Sequence, residues 1–317
     1  MEVFIMEIRV LRYFLETARE GNMTRAAERL FVSQPTMSKQ LKELEKELGT
    51  KLFVRSNYSI LLTQAGMLLR ERAEDILSLV DKTEAEFKSL EEINSGDIYV
   101  GAPESEAMGL FADIVCNLQK SYPKIRCNIY SGNMQDVCEK LDKGLLDFAI
   151  VMNFVDLNKY NYLPMSTEDR WGVIFRSDDA LSKKKTFSIS DLRDMPLICS
   201  KQWVDQELPD WFGYGLKDIN IVATYNLPYN GAIMAKAGIG YAVMLDKLVH
   251  TGDGSDITFR PLKDVPKAEI PNSEICQHEN IPTVFRLFMS DKLWGSLYSL
   301  SSSSSRIYSL FPNNTFI

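Results

Sequence analysis

Residues 23–42 read MTRAAERLFVSQPTMSKQLK, and this stretch decides the fold: two short helices joined by a tight turn, the second with polar side chains outward. In the first helix Ala26, Ala27, Leu30 and Phe31 recur at helical spacing and leave one side small and apolar, so another helix can lie close against it. Thr24 and Ser33 stand where N-caps belong. Ser33 opens the second helix, Pro35 falls in its first turn where a missing N–H costs little, and Met37, Leu41, Leu44 and Leu48 form the stripe to be buried. The opposite face carries Gln34, Thr36, Ser38, Lys39 and Lys42. Gln can pair with adenine, Ser and Thr serve several base edges, and Lys reaches guanine or phosphate, so this face suits a DNA major groove. It equally suits a solvated helix surface, and the motif alone leaves both readings open.

The sequence that follows narrows the choice. KLFVRSNYSILLTQAG, residues 51–66, reads as a strand, a turn around Ser56 and Asn57, and a second strand ending at Thr63: a two-stranded wing on which Lys51 and Arg55 could grip phosphate. Over about residues 6–66 the chain resembles, nearly position for position, the winged helix-turn-helix of the LysR-type transcriptional regulators. AAERL at 26–30, SQPTMSKQLKELE at 33–45, ELGTKLF at 47–53 and LTQAG at 62–66 carry the resemblance. It implies base-edge roles for Gln34, Pro35, Ser38 and Lys39, and phosphate roles for Thr24, Arg25, Ser33, Thr36, Lys42 and Arg55. Gln64 stands where many relatives have a charged residue, and the wing tip SNYSI is less basic than is common.

Charge is distributed to match. The 317-residue chain has a net charge of -7, yet residues 1–66 hold 10 Lys/Arg against 8 Asp/Glu while the remainder holds 26 against 35. An acidic body repels DNA and leaves binding to the small N-terminal module. No apolar run reaches the roughly 18–20 residues that span a bilayer, and the N-terminus lacks the pattern of a secretory signal, so a cytoplasmic protein without membrane partners is expected. Cys116, Cys127, Cys138, Cys199 and Cys276 are odd in number and form no C-x-x-C pair, which reads as reduced core thiols. His250 and His278, the only histidines, have no partner at metal spacing, so neither a metal nor a cofactor is expected.

Residues 64–93 form one long helical pattern. Leu69, Ala73, Ile76, Val80, Thr83, Phe87 and Leu90 alternate by four and three, a seam narrow enough to need a second helix, although packing on its own domain is the alternative. The resemblance implies that this linker helix pairs with its copy to make a homodimer or homotetramer. Ser95 and Gly96 are read as the helix break and domain boundary.

From Asp97 the period changes. DIYVGA, IRCNIYSG and DFAIVM read as strands alternating with helices GLFADIVCNLQKSY and MQDVCEKLDKG. A second unit follows: WGVIF, helix SISDL, PLICS, a helical segment around 205–212, INIVATY, a helix from Pro228 to Lys236, GYAVML and the return strand ITFRPL. Two such lobes joined by two crossings resemble the type 2 periplasmic-binding-protein fold that LysR-type regulators use as effector domain. That resemblance covers about 97–265, with GLLDFAI at 144–150 and GIGYAV at 238–243 as its segments.

The expected architecture is therefore α/β: a winged helix-turn-helix at 6–63, a linker helix at 64–93 and an effector-binding domain at 97–317. Lobe I takes 97–165 and 263–317, lobe II 166–262. In open α/β sheets ligands sit beyond the carboxyl ends of the strands, where helix N-termini present free N–H groups. Four corners meet that description and nominate Ser105, Ser131, Asn133, Met152, Asn153, Ser200, Gln202 and Asn226 as contacts for a small-molecule effector. Ser, Asn and Gln at such corners serve equally as helix caps. Glu104 in the first corner is unusual for a pocket that takes an anion.

No catalytic constellation accompanies the cleft. Two late histidines exclude a Ser-His-Asp order, no phosphate-cradling or dinucleotide glycine motif occurs, and GIG at 238–240 precedes a strand. The reading is a ligand-responsive transcriptional regulator acting on a double-stranded DNA operator, not an enzyme. The C-terminus departs from the family: either TVFRLFM at 283–289 is a strand and DKLWGSLYSL at 291–300 a short helix, or the last forty or so residues, with their serine run at 301–305, come from a shifted reading frame.

Overall fold

The structure, a computed structural model, describes residues 6–55, 59–89, 95–152, 159–165, 169–207, 211, 219–265 and 273–277. The chain divides into two compact units, Met1–Glu91 and Glu92–Ile317.

In the first unit α1 (Ile8–Glu20), α2 (Met23–Arg29) and α3 (Gln34–Glu47) close on a core of Phe14, Ala26, Ala27, Met37, Leu41 and Leu44. Ala26 and Ala27 are the small contact surface expected of them, and both are buried. The Thr17 hydroxyl, buried in the same core, faces the sulfurs of Met37 at 3.5 Å and Met23 at 3.8 Å. Ser33 caps α3 as read from the sequence, its Oγ accepting from the Thr36 N–H at 3.3 Å. Two expectations fail. The cap of α2 is Asn22, whose Oδ1 takes both the Thr24 and Arg25 N–H groups; the helix starts two residues earlier than a Thr24 cap implies, and Asn spans the first turn from there. Phe31 leaves the helical face, because its φ of 54° turns the chain through the left-handed region and puts the ring out, 95% exposed.

The wing pairs β1 (Phe53–Arg55) with β2 (Ile60–Leu62) antiparallel, Phe53 opposite Leu62. Glu45 fastens it to α3: its Oε1 accepts from the N–H groups of Leu52 at 2.9 Å and Phe53 at 3.3 Å, and its Oε2 from Lys51 at 3.0 Å. Burial opposes that charge, but Lys51 and the two backbone donors outweigh it and hold the Glu45 carboxyl below its ordinary range. A depressed carboxyl pKa stabilises the folded state above the unfolded value and loses that contribution as pH falls through the folded one. Glu45→Gln should therefore cost about 1–2 kcal/mol at neutral pH and flatten the acid side of the stability curve, measurable by urea unfolding between neutral and acid pH.

The LTQAG segment locks the wing to the next helix, α4 (Gln64–Ser89). Thr63 Oγ1 donates to the Lys51 carbonyl at 2.7 Å and accepts from the Gly66 N–H at 2.9 Å. A Cβ on Gly66 would lie 2.2 Å from the Leu52 carbonyl oxygen, so only glycine lets α4 approach the wing this closely. Along α4, Leu69, Ala73 and Leu77 join the winged-helix core and Arg12 on α1 pairs with Asp81 at 2.7 Å. Leu69 and Ala73, read from the sequence as seam residues, are thus spent on their own domain. Leu68, Ile76, Leu79 and Phe87 form an adjacent exposed apolar stripe.

The second unit holds two five-stranded sheets. The first runs β4-β3-β5-β12-β6, from β3 (Ser95–Ala102), β4 (Lys124–Ser131), β5 (Phe148–Met152), β6 (Asn161–Met165) and β12 (Ser273–Gln277). Ser95 and Gly96, expected as a break, already pair in β3 with Lys124 and Ile125. In β5 Phe148 and Ile150 pack under α5 (Ala107–Ser121), while Ala149 and Val151 pack under α6 (Met134–Asp142). A strand covered on both faces reads as an unbroken apolar run.

The second sheet runs β11-β7-β10-β8-β9, from β7 (Trp171–Arg176), β8 (Leu197–Ser200), β9 (Ile221–Tyr225), β10 (Tyr241–Leu245) and β11 (Ile257–Pro261), with α7 (Pro228–Lys236) on one face. SISDL, expected as a helix, is the start of a 3₁₀ segment, Ile189–Asp194, closed by a Ser188–Asp191 capping box. The helical segment expected around 205–212 is a π turn, Trp203–Glu207; beyond it only Trp211 is described.

The strand that returns to lobe I is SEICQ, β12, inserted antiparallel between β5 and β6. From the sequence, TVFRLFM is one source for that strand, with a shifted reading frame as the alternative, and SEICQ is unmarked. SEICQ carries one strong β-former, Ile275, which packs on the first-sheet core, and so gives little alternation to read. Both TVFRLFM and DKLWGSLYSL lie outside the described residues, as does the serine run.

Candidate nucleic-acid interface and effector cleft

On α3 the sequence-nominated side chains sort by the buried stripe opposite them. Gln34, Pro35, Thr36, Lys39 and Lys42 are exposed and Ser38 is half-buried. Lys39 lies 3.9 Å from Glu43, and Lys42 has no ion-pair partner among the described residues. The Ser33 and Thr36 hydroxyls share a hydrogen bond at 2.7 Å at the helix start. Thr24 and Arg25 are exposed on α2, with the Arg25 guanidinium donating to the Glu20 carbonyl at 3.0 Å. Arg55 ends β1, and its side chain lies outside the described residues. One helix thus presents exposed amide, hydroxyl and ammonium groups along its first three turns, the chemistry that base edges and phosphates take.

In the second unit the four corners are brought together by three links. Ala102 at the end of β3 pairs with Ser131 at the end of β4. Ser200 at the end of β8 pairs with Tyr225, the residue before Asn226. Gln202 then bridges the lobes, its Oε1 accepting from the Met134 N–H at the start of α6 at 3.3 Å.

The individual roles differ. Asn133 and Ser200 are caps: Asn133 Oδ1 takes the Asp136 N–H at 2.9 Å and Ser200 Oγ takes the Trp203 N–H at 2.9 Å. Ser131 and Asn226 are exposed, Met152 is half-buried at the end of β5, and Asn153 lies outside the described residues. Ser105 is buried with no hydrogen-bond partner for its hydroxyl.

A second bridge was not read from the sequence. Asp169, on the segment between β6 and β7, accepts at Oδ1 from the Glu106 N–H that opens α5, at 3.2 Å. Close by, the buried Asp246 carboxylate takes the Arg170 backbone N–H at 3.0 Å and its Nε at 2.9 Å. Both lobe I helices that point at the cleft, α5 and α6, thus take an acceptor from outside lobe I. TEDR at 167–170 gives no hint of this, since an acidic pair before a strand is what an exposed turn also carries.

Family comparison agrees with this geometry in both units. Residues 8–67 match the model of the bacterial regulatory helix-turn-helix protein, lysR family, and residues 92–276 match the LysR substrate binding domain. The chain belongs to the LysR family. Among its relatives, YtlI of Bacillus subtilis is 35% identical over 193 residues, 61% of this chain and 62% of that one. BudR of Raoultella terrigena is 31% identical over 271 residues, 84% of this chain and 93% of that one. Several curated relatives, YtlI among them, are matched over less than two thirds of their length. A crystal structure of full-length CbnR complexed with target DNA superposes with a TM-score of 0.70 at 21% identity, over 93% of this chain and all of that one, which establishes the fold.

The thiols of this LysR-family chain are mostly as the sequence implies. Burial pushes Cys199 up to about 12, and burial, with Asp147 adding to it, pushes Cys127 up to about 11, so both stay protonated and unreactive at neutral pH. Cys138 is also raised by burial. Cys116 differs, lying exposed on α5 rather than in the core, because the apolar positions of that helix fall at Phe111, Ile114 and Leu118. The Cys276 side chain lies outside the described residues. Among the described residues no helix is long and apolar enough to cross a membrane, and no group of three or more His, Cys, Asp or Glu is placed to hold a metal.

Proposed function

We propose that this protein is a cytoplasmic DNA-binding transcriptional regulator, not an enzyme, that acts as a homodimer or homotetramer and is controlled by a small molecule bound between its two α/β lobes. The observation that carries it is α3: Met37, Leu41 and Leu44 are buried while Gln34, Thr36, Lys39 and Lys42 stand exposed on the other face. Gln34, Pro35, Ser38 and Lys39 read base edges; Thr24, Arg25, Ser33, Thr36, Lys42 and Arg55 hold phosphates. Residues 6–63 are the reading module and the exposed stripe of α4 is the pairing surface.

In the effector domain the ligand occupies the space bounded by Ser105, Ser131, Met152, Gln202 and Asn226. Asn133 and Ser200 shape it as caps. A ligand there competes with the Gln202 bridge and so has different affinities for open and bridged lobes, which is what regulation by binding requires.

The test is recovery of DNA. Full-length protein mixed with sheared genomic DNA of its source should enrich fragments that share two related half-sites, with recovery falling as salt rises because phosphate contacts release counterions. Enrichment without any shared sequence would overturn the reading.

A further inference from the structure

Three carboxylates, Glu106, Asp169 and Asp246, lie near the start of α5, and among the described residues only Asp169 makes no ion pair, although the charge of Lys247 reaches it. Glu106 has the Lys247 ammonium at 3.9 Å, and Asp246 holds Arg170. Asp169, 3% exposed, has one donor, the Glu106 N–H on Oδ1, and no ion pair among the described residues. Its Oδ2 is buried without a hydrogen-bond partner. So is the hydroxyl of Ser105, itself 7% exposed and one residue before that same donor.

Two buried polar groups without partners, a carboxylate oxygen and a hydroxyl, need an account, since native interiors leave few polar atoms unpaired. The bridge to α5 does not supply it: an asparagine would accept the Glu106 N–H equally well and would bury no charge. Burial raises the Asp169 carboxyl above its ordinary range, and Asp246 and Glu106 add to that; the Glu106 N–H and the Lys247 ammonium offset it only in part, so the site on balance works against the charge it contains.

We infer that the effector of this cleft carries a protonated amine, whose N–H groups are taken by Asp169 Oδ2 and Ser105 Oγ. An ammonium group offers three donors and a positive charge, which answers both orphaned atoms and offsets Asp246 and Glu106 at once. A carboxylate placed there would face the like charge of Asp169, Asp246 and Glu106, with the Ser105 hydroxyl as the one unpaired donor among these groups to meet it. A metal ion is not served, as among the described residues no cluster of three or more ligating side chains is placed for one. The inference rests on the effector-cleft reading above and specifies the chemistry of that site.

Amino acids, monoamines and diamines, each beside its des-amino and hydroxy analogues, would be titrated into the full-length protein and followed by melting temperature. Tryptophan fluorescence gives a second signal, because Trp203 adjoins Gln202 and packs on Trp211. At least one amine should raise the melting temperature, with its analogues at least tenfold weaker. Asp169→Asn should leave the unliganded melting temperature unchanged or raise it, because Oδ1 still takes the Glu106 N–H and no charge is buried, and should weaken the amine at least tenfold; Ser105→Ala should weaken it less. A des-amino acid that binds as well as its amine, or an amine response untouched by Asp169→Asn, would overturn the amine assignment and leave the effector cleft standing. Silence from every compound would also overturn it, and DNA recovery from the same preparation would report separately whether the regulator reading falls too.

Discussion

Leu79→Glu should leave the single chain folded, split the assembly and lower operator affinity by about two to four orders of magnitude. The first part follows from Leu79 being 42% exposed on the isolated chain, so that a carboxylate there meets water rather than the winged-helix core. The second follows from the face it shares with Leu68, Ile76 and Phe87: once covered by another copy, a carboxylate among these side chains would be buried without a partner at a cost of several kcal/mol. The third follows from tethering. Two modules on one dimer meet two half-sites at high effective concentration, typically worth about 10²–10⁴ in affinity, and a monomer forfeits all of it. Leu77→Glu is the control, because Leu77 belongs to the core shared with α1 and should cost stability instead. Light scattering at micromolar concentration separates the two variants. A Leu79→Glu protein that stays dimeric would place the interface elsewhere.

This prediction turns on Leu79, which the sequence alone did not single out although it did mark Ile76 and Phe87 on the same helix, and the reason is geometric. Period three-four along α4 marks apolar positions without saying which neighbour they meet. Leu69 and Ala73 lie on the arc nearest α1 and are consumed there with Leu77, while the stripe left over turns slightly away from it. Where one helix face has one possible neighbour, sequence was enough. Ala26 and Ala27, the Ser33 cap, the Met37–Leu41–Leu44 stripe, the two wing strands and the apolar runs of β5, β7 and β10 all stand where their residue types put them.

Legibility failed where a residue's role depends on a partner far along the chain. Nothing within SEICQ says that it inserts between β5 and β6, because the neighbours that bury Ile275 are more than a hundred residues away. Gln202 was nominated from its corner, yet its acceptor role toward Met134 is visible only when the lobes are seen together. Asp169 was not nominated at all. Its carboxylate is informative because of what is missing around Oδ2, and a sequence does not record absent partners. Phe31 shows the converse: an apolar residue at the right helical spacing, turned out by a single left-handed backbone angle that spacing does not encode.

Gln34→Ala should abolish preference at one base pair of each half-site and leave binding to unrelated DNA nearly unchanged. Gln34 begins α3 and is exposed, at the end of the helix that enters a groove first, with Ser33 already committed to the cap and Pro35 unable to donate. A glutamine amide donates and accepts at once, which matches the paired acceptor and donor of adenine, and such a contact discriminates by about 1–3 kcal/mol. A dimer uses it twice, so a symmetric operator should lose about 2–6 kcal/mol, since separated positions add. Lys42→Ala makes the contrast: an exposed ammonium two turns on, reaching phosphate, should weaken all sequences alike and reduce the salt dependence of binding. Titrations of both variants against operators substituted one base pair at a time would resolve the two patterns. Unaltered base preference in Gln34→Ala would remove Gln34 from the reading face, and a Lys42→Ala effect confined to one base pair would reverse the two assignments.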